Sequence, residues 1–453
     1  QVIEAIEQSI SEEKTMTKDM LMSFSTNTRL HLLSLSSWGV GWWTMLITLV
    51  VLLPNMNIQA QPISYQRIDT HVLQTPNQME TSVQTLAAYL VKPARNEHEK
   101  IRAIFRWVTE NIAYDTDGYF SGQYGDLSPD GVLKSRRAVC DGYAGLFNML
   151  GEAAGLEVVK VTGYSKGYSY AVGDTYDGTT NHAWNAVMID NQWHLLDATW
   201  GAGYLGENKK FVREFQEYYF LTPPEVFIYD HLPSDTRWQL LEQPVSSEDY
   251  AGFVRLRPAF FQTGLEIKSH RQSIIEIDDQ VTVTLRAPDS AVILAELVRD
   301  EDKLDESYTF IQRQSGSYNI HAITPGPGQY VLRVFSKNRH EEGSYDWALD
   351  YRIKAAKGGG GGFPKAFGTF SENGGYLHSP MHAKLKRGST QVFKIQVPRA
   401  EEVAVIMGDN WHHLKKEGDM FIGNIEIQDK HIRVFAKFPG QEQYAGLLVY
   451  TGS

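Results

Sequence analysis

Two nearby stretches decide how this chain reads: AVCDGYAGLFNMLGEAAG over residues 138–155 and NHAWNAVMIDNQWHLLDATWG over residues 181–201. The first holds Cys140, the one cysteine among 453 residues. Behind it, Tyr143, Leu146, Phe147, Leu150 and Ala154 recur on one helical face, and Gly155 is a natural stop. A cysteine in the first turn of a helix meets unpaired N–H groups and the positive end of the dipole, which favour a thiolate. Gly142 and Gly145 leave room for a backbone or a substrate to approach the sulfur.

The second stretch predicts two strands around Asp190-Asn191, a two-residue hairpin turn. That turn pairs position 182 with position 199. His182 and Asp197 then share a sheet face as diagonal neighbours, about 7–8 Å apart at Cα. Packed against Cys140, they form a Cys–His–Asp triad in which the imidazole takes the thiol proton and the carboxylate fixes its tautomer. Each residue alone has an ordinary explanation: a buried thiol, a core histidine, an aspartate closing a turn. Their order and flanks favour the site. Trp184 and Trp200 are expected to shield it from water and, with Tyr143, to contact substrate; plain core packing is the alternative.

The flanks carry a resemblance. Cys140-Asp141-Gly142-Tyr143-Ala144, Val161-Thr162-Gly163-Tyr164, His182-Ala183-Trp184-Asn185 and Asp197-Ala198-Thr199-Trp200 together resemble the transglutaminase-like core. The continuation YYFLTPPEVFIYDHLPSDTRWQLL, residues 218–241, is similar to the kyphoscoliosis-peptidase branch of that superfamily. What the resemblance implies is an α+β papain/transglutaminase-like core followed by two all-β immunoglobulin-like sandwich domains. It also implies acyl transfer, by a peptidase or a transglutaminase, with catalytic roles on Cys140, His182 and Asp197. The family's oxyanion donors have no clear motif here, and only the backbone N–H of Cys140 is assigned.

Composition sets the outer bounds. A chain of this length exceeds one ordinary core, and 42% hydrophobic with 21% charged residues describes a globular protein. The formal net charge of −11 offers no basic stripe for phosphates, so nucleic acid is excluded as a partner. The uncharged run WGVGWWTMLITLVVLL at 38–53 follows Arg29 and precedes a small-residue, polar stretch, which reads as a secretory signal. An uncleaved signal-anchor is the alternative. The expected location is therefore exported: periplasmic, cell-surface or secreted.

Helical stripes over 83–90 and 101–112 predict scaffold behind the Cys140 helix. Gly- and Tyr-rich loops at 115–130 and 165–181 are expected at the rim of the site, with Tyr168, Tyr170 and Tyr176 as stacking surfaces for a peptide. After residue 241 helical periodicity gives way to short strands. The expected organisation is a leader over 1–60, a catalytic domain over 61–243, and β-sandwich modules over 250–357 and 363–453. The modules read as repeats: Arg333-Val334-Phe335-Ser336-Lys337 returns as Arg433-Val434-Phe435-Ala436-Lys437, 100 residues on. Pro258-Ala259-Phe260 is echoed by Pro364-Lys365-Ala366-Phe367. GGGGG at 358–362 is a flexible linker or a tight loop. No metal-ligand spacing, Walker or dinucleotide motif is present, so the chemistry needs no cofactor. The expected partners are a protein or peptide substrate and a cell-surface or wall-associated protein; a membrane is met only through an uncleaved leader.

Overall fold

The computed structural model describes residues 64–206 and 208–453, so the expected leader and its apolar run lie outside the described residues. No helix among the described residues is long and apolar enough to cross a membrane.

The helices α1 (Gln66–Leu73), α2 (Val83–Leu90) and α3 (Glu97–Asn111), then two short helices at Thr116–Ser121 and Pro129–Ser135, come before the central helix α4 (Cys140–Ala153). Ser82 and Asn96 start α2 and α3 by accepting the N–H groups of Thr85 and Glu99. The apolar stripe Ile101, Ile104, Phe105 and Val108 is fully buried, as its spacing demands. Arg102, on the same helix, is buried too. Its guanidinium reaches Asp69 of α1 through two 2.8 Å bonds and Glu217 through bonds of 2.6 and 2.8 Å. One fork thus clamps the helical layer to the segment that links Leu196 to the last strand of the sheet at His231.

Against α4 lies an antiparallel sheet of β1 (Val158–Ser165), β2 (His182–Ile189), β3 (Gln192–Leu196) and β4 (His231–Pro233), ordered β3-β2-β1-β4. Asp190 and Asn191 take φ of 49° and 63°, the left-handed pair that a type I′ turn requires, and Ile189 faces Gln192. The ladder stops at Asn185–Leu196, so the expected pairing of 182 with 199 does not form. Asp197 instead leaves the sheet and caps the short helix Ala198–Ala202, accepting from the N–H groups of Thr199 and Trp200. On its other side His182 pairs with Gly163 of β1. A Cβ there would lie 2.2 Å from the Leu232 carbonyl and 2.5 Å from the Trp184 ring, which explains a glycine in the middle of a strand.

Two β-sandwiches follow with one topology. In the first, a sheet ordered 266–267, 280–286, 317–323, 309–314 faces a sheet ordered 274–277, 346–355, 328–338, 291–299, 302–303. In the second, 376–379, 390–396, 420–426, 415–417 face 365–366, 445–452, 431–437, 402–407, 410–413. Residues 333–337 and 433–437 occupy the same strand, and each pairing shifts register at the same place, between Val334 and Phe335 and between Val434 and Phe435. The Pro-Ala-Phe echo does not mark equivalent positions. Pro258 opens a helix, whereas Lys365–Ala366 is a strand whose counterpart is Arg255–Leu256. The short identity carries no shared hydrogen-bonding role.

Glycines 358–362 are a packed joint. A Cβ on Gly358 would lie 2.6 Å from the Pro325 carbonyl, and Gly362, at φ 74°, leaves 2.8 Å to that of Ser307. Across this joint the buried Gln312 donates to the Leu377 carbonyl at 3.1 Å and accepts from its N–H at 2.5 Å. Lys166 makes the corresponding tie between the sheet domain and the first sandwich. Its buried ammonium donates to the carbonyls of Tyr250 (2.8 Å) and Phe253 (3.1 Å). If the glycine joint is as rigid as its packing, Gly362→Ala will lower unfolding stability by about 1–3 kcal/mol, the cost of a left-handed non-glycine residue. Denaturant titration of the full chain reads this directly, and an unchanged midpoint would mean a loose tether.

Candidate active site

Cys140 is the first residue of α4 and only partly buried. Val139 before it supplies no side-chain cap, so the opening N–H groups of the helix are left for whatever lies at the sulfur. Asn185, buried on β2, donates to the Ala144 carbonyl at 3.1 Å and holds α4 against that strand. This tie sets Cys140 beside His182, at the head of β2, close enough for the thiol to help raise the imidazole.

His182 Nε2 donates to Asp197 Oδ2 at 2.7 Å. That leaves Nδ1 for the thiol. Asp197 is fully buried, and its Oδ1 accepts the N–H groups of Thr199 at 2.8 Å and Trp200 at 3.1 Å. The capping role and the histidine-orienting role therefore belong to the same carboxylate. The structure brings Cys140, His182 and Asp197 together, with Asp197 reaching His182 from a helix cap and not from the strand position that the hairpin arithmetic gave.

A fourth group is present. His231, fully buried at the start of β4, donates from Nε2 to the same Asp197 Oδ2 at 3.0 Å, and from Nδ1 to Asp230 Oδ1 at 2.6 Å. Its ring stacks on Phe227, with centroids 4.0 Å apart. It is closed in further by Trp184 and Trp200, at 5.0 and 4.5 Å. Nothing in the sequence around Asp230-His231 set this pair apart, although it lies inside the stretch that carries the family resemblance.

Burial alone would push the Asp197 carboxyl up and both histidines down. The mutual charges win: His182 and His231 hold Asp197 well below the usual carboxylate range. Asp197 and Cys140 raise His182 to about 10, and Asp230 and Asp197 raise His231. His182, Asp197 and His231 also present ligand-type atoms within 4.8 Å of one another. Ligands about 2.0–2.1 Å from a tetrahedral zinc stand roughly 3.3 Å apart, however. The 2.7 and 3.0 Å separations here are those of direct hydrogen bonds.

Two expected substrate contacts fall away. Tyr143 is fully buried in the core, its hydroxyl donating to the Ile112 carbonyl at 2.5 Å. Trp184 is 1% exposed and packs between His182 and Phe227. Both lie on core-facing positions of their elements, where solvent and substrate do not reach. Trp200 is partly exposed and lies over His182, with centroids 5.3 Å apart. Of the loop tyrosines, Tyr170 is buried against Lys166 and Arg255, and Tyr176 leans on Tyr164. Only Tyr168 is open, 50% exposed and in edge contact with the open Phe120, at 5.9 Å.

Residues 84–198 match the transglutaminase-like superfamily, and residues 247–359 match the KY-like immunoglobulin-like domain. The mouse kyphoscoliosis peptidase is 29% identical over 292 residues, which is 64% of this chain and 43% of that protein. Hillarin of Drosophila melanogaster is 30% identical over 244 residues, 51% of this chain and 29% of that one. The chain thus spans less than half the length of these relatives. Among solved structures, a transglutaminase aligns over 36% of this chain and 38% of its own, with 20% identity and TM-score 0.20. A cysteine-protease candidate from Cytophaga hutchinsonii aligns over 34% of this chain and 47% of its own, with 21% identity and TM-score 0.22.

The charges at this site make stability depend on pH in two directions. Both histidines are raised, so their contribution is complete below about pH 6.5 and is lost as pH rises through their folded values, near 10 for His182. Asp197 is depressed, so its contribution is present above about pH 3.9 and is lost as pH falls toward its folded value. Asp197→Asn should cost about 3–5 kcal/mol at neutral pH, because it leaves imidazolium charge buried without its partner. Denaturant unfolding at a series of pH values checks this; a variant as stable as wild type, with the same pH dependence, would show that these charges are not coupled to folding.

Proposed function

From a chain that carries a transglutaminase-like domain followed by a KY-like immunoglobulin-like domain, we propose a cysteine-dependent acyl-transfer enzyme that hydrolyses peptide or amide bonds. The observation that carries the reading is the contact series from Cys140 to His182 to Asp197, with 2.7 Å between the last two. His182 Nδ1 takes the thiol proton, and the Cys140 sulfur attacks the carbonyl carbon. The oxyanion forms at the N-terminus of α4, where the Cys140 N–H is the donor. When the C–N bond breaks, the departing amine leaves with the proton that His182 carries. Water then attacks the thioester, His182 removes its proton, and the carbon–sulfur bond breaks to restore the thiol. An amine in place of water gives a cross-link. Partly open Cys140 admits water, which favours hydrolysis.

The two sandwiches, joined through Gln312 and the packed glycines, fit a role in presenting a protein substrate or a cell-surface partner to this site. An exported location is part of the same proposal and rests on the apolar run at 38–53. Cys140→Ala should abolish turnover of a peptide library and all thiol alkylation while the protein stays folded. Turnover retained in that variant would end the reading.

A further inference from the structure

Asp230 and His231 take no part in the scheme above, although both are buried next to it. We propose that His231 is a positioning residue held as an imidazolium between Asp197 and Asp230, and that its charge tunes how tightly His182 holds its proton. This rests on the acyl-transfer reading of Cys140 and His182.

The geometry carries the argument. An ionised carboxylate only accepts hydrogen bonds. Both ring nitrogens of His231 face carboxylate oxygens, Nδ1 at 2.6 Å from Asp230 and Nε2 at 3.0 Å from Asp197. Both must then carry protons. The ring is fully buried between Phe227, Trp184 and Trp200, so no water competes for either nitrogen and little solvent screens the charge. The other ionisable groups around it are Cys140 beyond His182, Tyr219 with its ring centroid at 6.3 Å, Tyr218 and Tyr250 facing Asp230, and the cations Lys166, Arg255 and Arg257 on the Asp230 side. Lys166 also fixes Asp230 directly, donating its backbone N–H to the Asp230 carbonyl at 3.0 Å.

The consequence follows from one shared oxygen. Asp197 Oδ2 accepts from His182 and His231 together, so its charge is divided between two cations. A buried carboxylate beside His182 strengthens its hold on the proton and so opposes release to a departing amine. The second imidazolium, its ring 5.4 Å from that of His182, opposes this hold and favours proton loss from the Cys140–His182 pair. Removing a positive charge at that distance makes proton loss harder, so the pH profile of the pair moves upward. At an effective dielectric near 20 the shift is about two pH units.

The test is the pH profile of Cys140 alkylation by iodoacetamide, in the full chain, for wild type, His182→Ala, His231→Gln and Asp230→Asn. Asp230→Asn keeps the volume and removes the charge that requires the second proton. Expected is a wild-type acid limb well below the free-thiol value of about 8.5, abolished in His182→Ala, moved up by about two units in His231→Gln, and moved up by less in Asp230→Asn, which loses a negative charge along with the positive one. A low limb that His182→Ala abolishes but neither of the other variants moves would overturn the tuning role and leave the acyl-transfer reading standing. An ordinary thiol profile that ignores His182→Ala would overturn both. Nitrogen NMR of 15N-histidine-labelled wild type needs no variant to fold: it should show both His231 nitrogens protonated at neutral pH, and a neutral ring there would overturn the tuning role.

Discussion

The buried carboxylate of Asp197 accepts four hydrogen bonds, two from backbone N–H groups of the helix it caps and two from imidazole rings. A charge so far from water is tolerable only when every lone pair is used and opposite charge is close by. The local structure is arranged to meet that requirement. The ladder of the hairpin stops at Leu196 so that the chain can turn and aim both oxygens inward. β4 returns from more than thirty residues later to deliver His231. Aromatic rings from three elements close over the pair. Cys140 meets this group from one side only, through His182, which leaves the sulfur itself on the accessible edge.

The same segments tie the site to the rest of the chain. Lys166 begins the long loop that borders the site; its backbone bonds to Asp230 and its ammonium to the first sandwich. Burial pulls this ammonium down to about 7 even though Asp230 opposes the shift, and its stacking over the Tyr250 ring at 4.5 Å offsets part of the cost. Arg255, on the opening strand of the sandwich, adds a bond to Gly167 in the same loop. One sandwich is then locked to the next through Gln312 and the packed glycines. The path from the cysteine helix to the second sandwich is thus a series of close-packed joints, not flexible spacers.

Much of this was legible in the chain itself. Local rules are enough for the helix behind Cys140, the Asp190-Asn191 turn and its register, and the strand repeat at 333–337 and 433–437. Each depends on residues only a few positions apart, where φ preference and hydrophobic period act directly. The grouping of Cys140, His182 and Asp197 was legible for a related reason, since two of the three lie on one hairpin whose turn sets their spacing. What the pattern could not give was the route. Strand arithmetic carried Asp197 along the ladder, whereas the unpaired N–H groups of the following helix drew it out of the sheet.

Tyr143 and Trp184 mark the limit from the other side. Being beside Cys140 or His182 in sequence does not say which face of a helix or strand a ring occupies, and here both rings face the core. The second histidine lay wholly beyond sequence reading, because Asp230-His231 looks like any polar pair entering a short strand. Only the antiparallel pairing of β4 with β1, at Ser165–His231, carries it to Asp197. The sequence by itself determined the elements, the turn and the chemistry available, because those follow from short-range sterics and hydrogen bonding. The tertiary structure decided which buried charges share one oxygen, because desolvated groups must find partners wherever the packed chain supplies them.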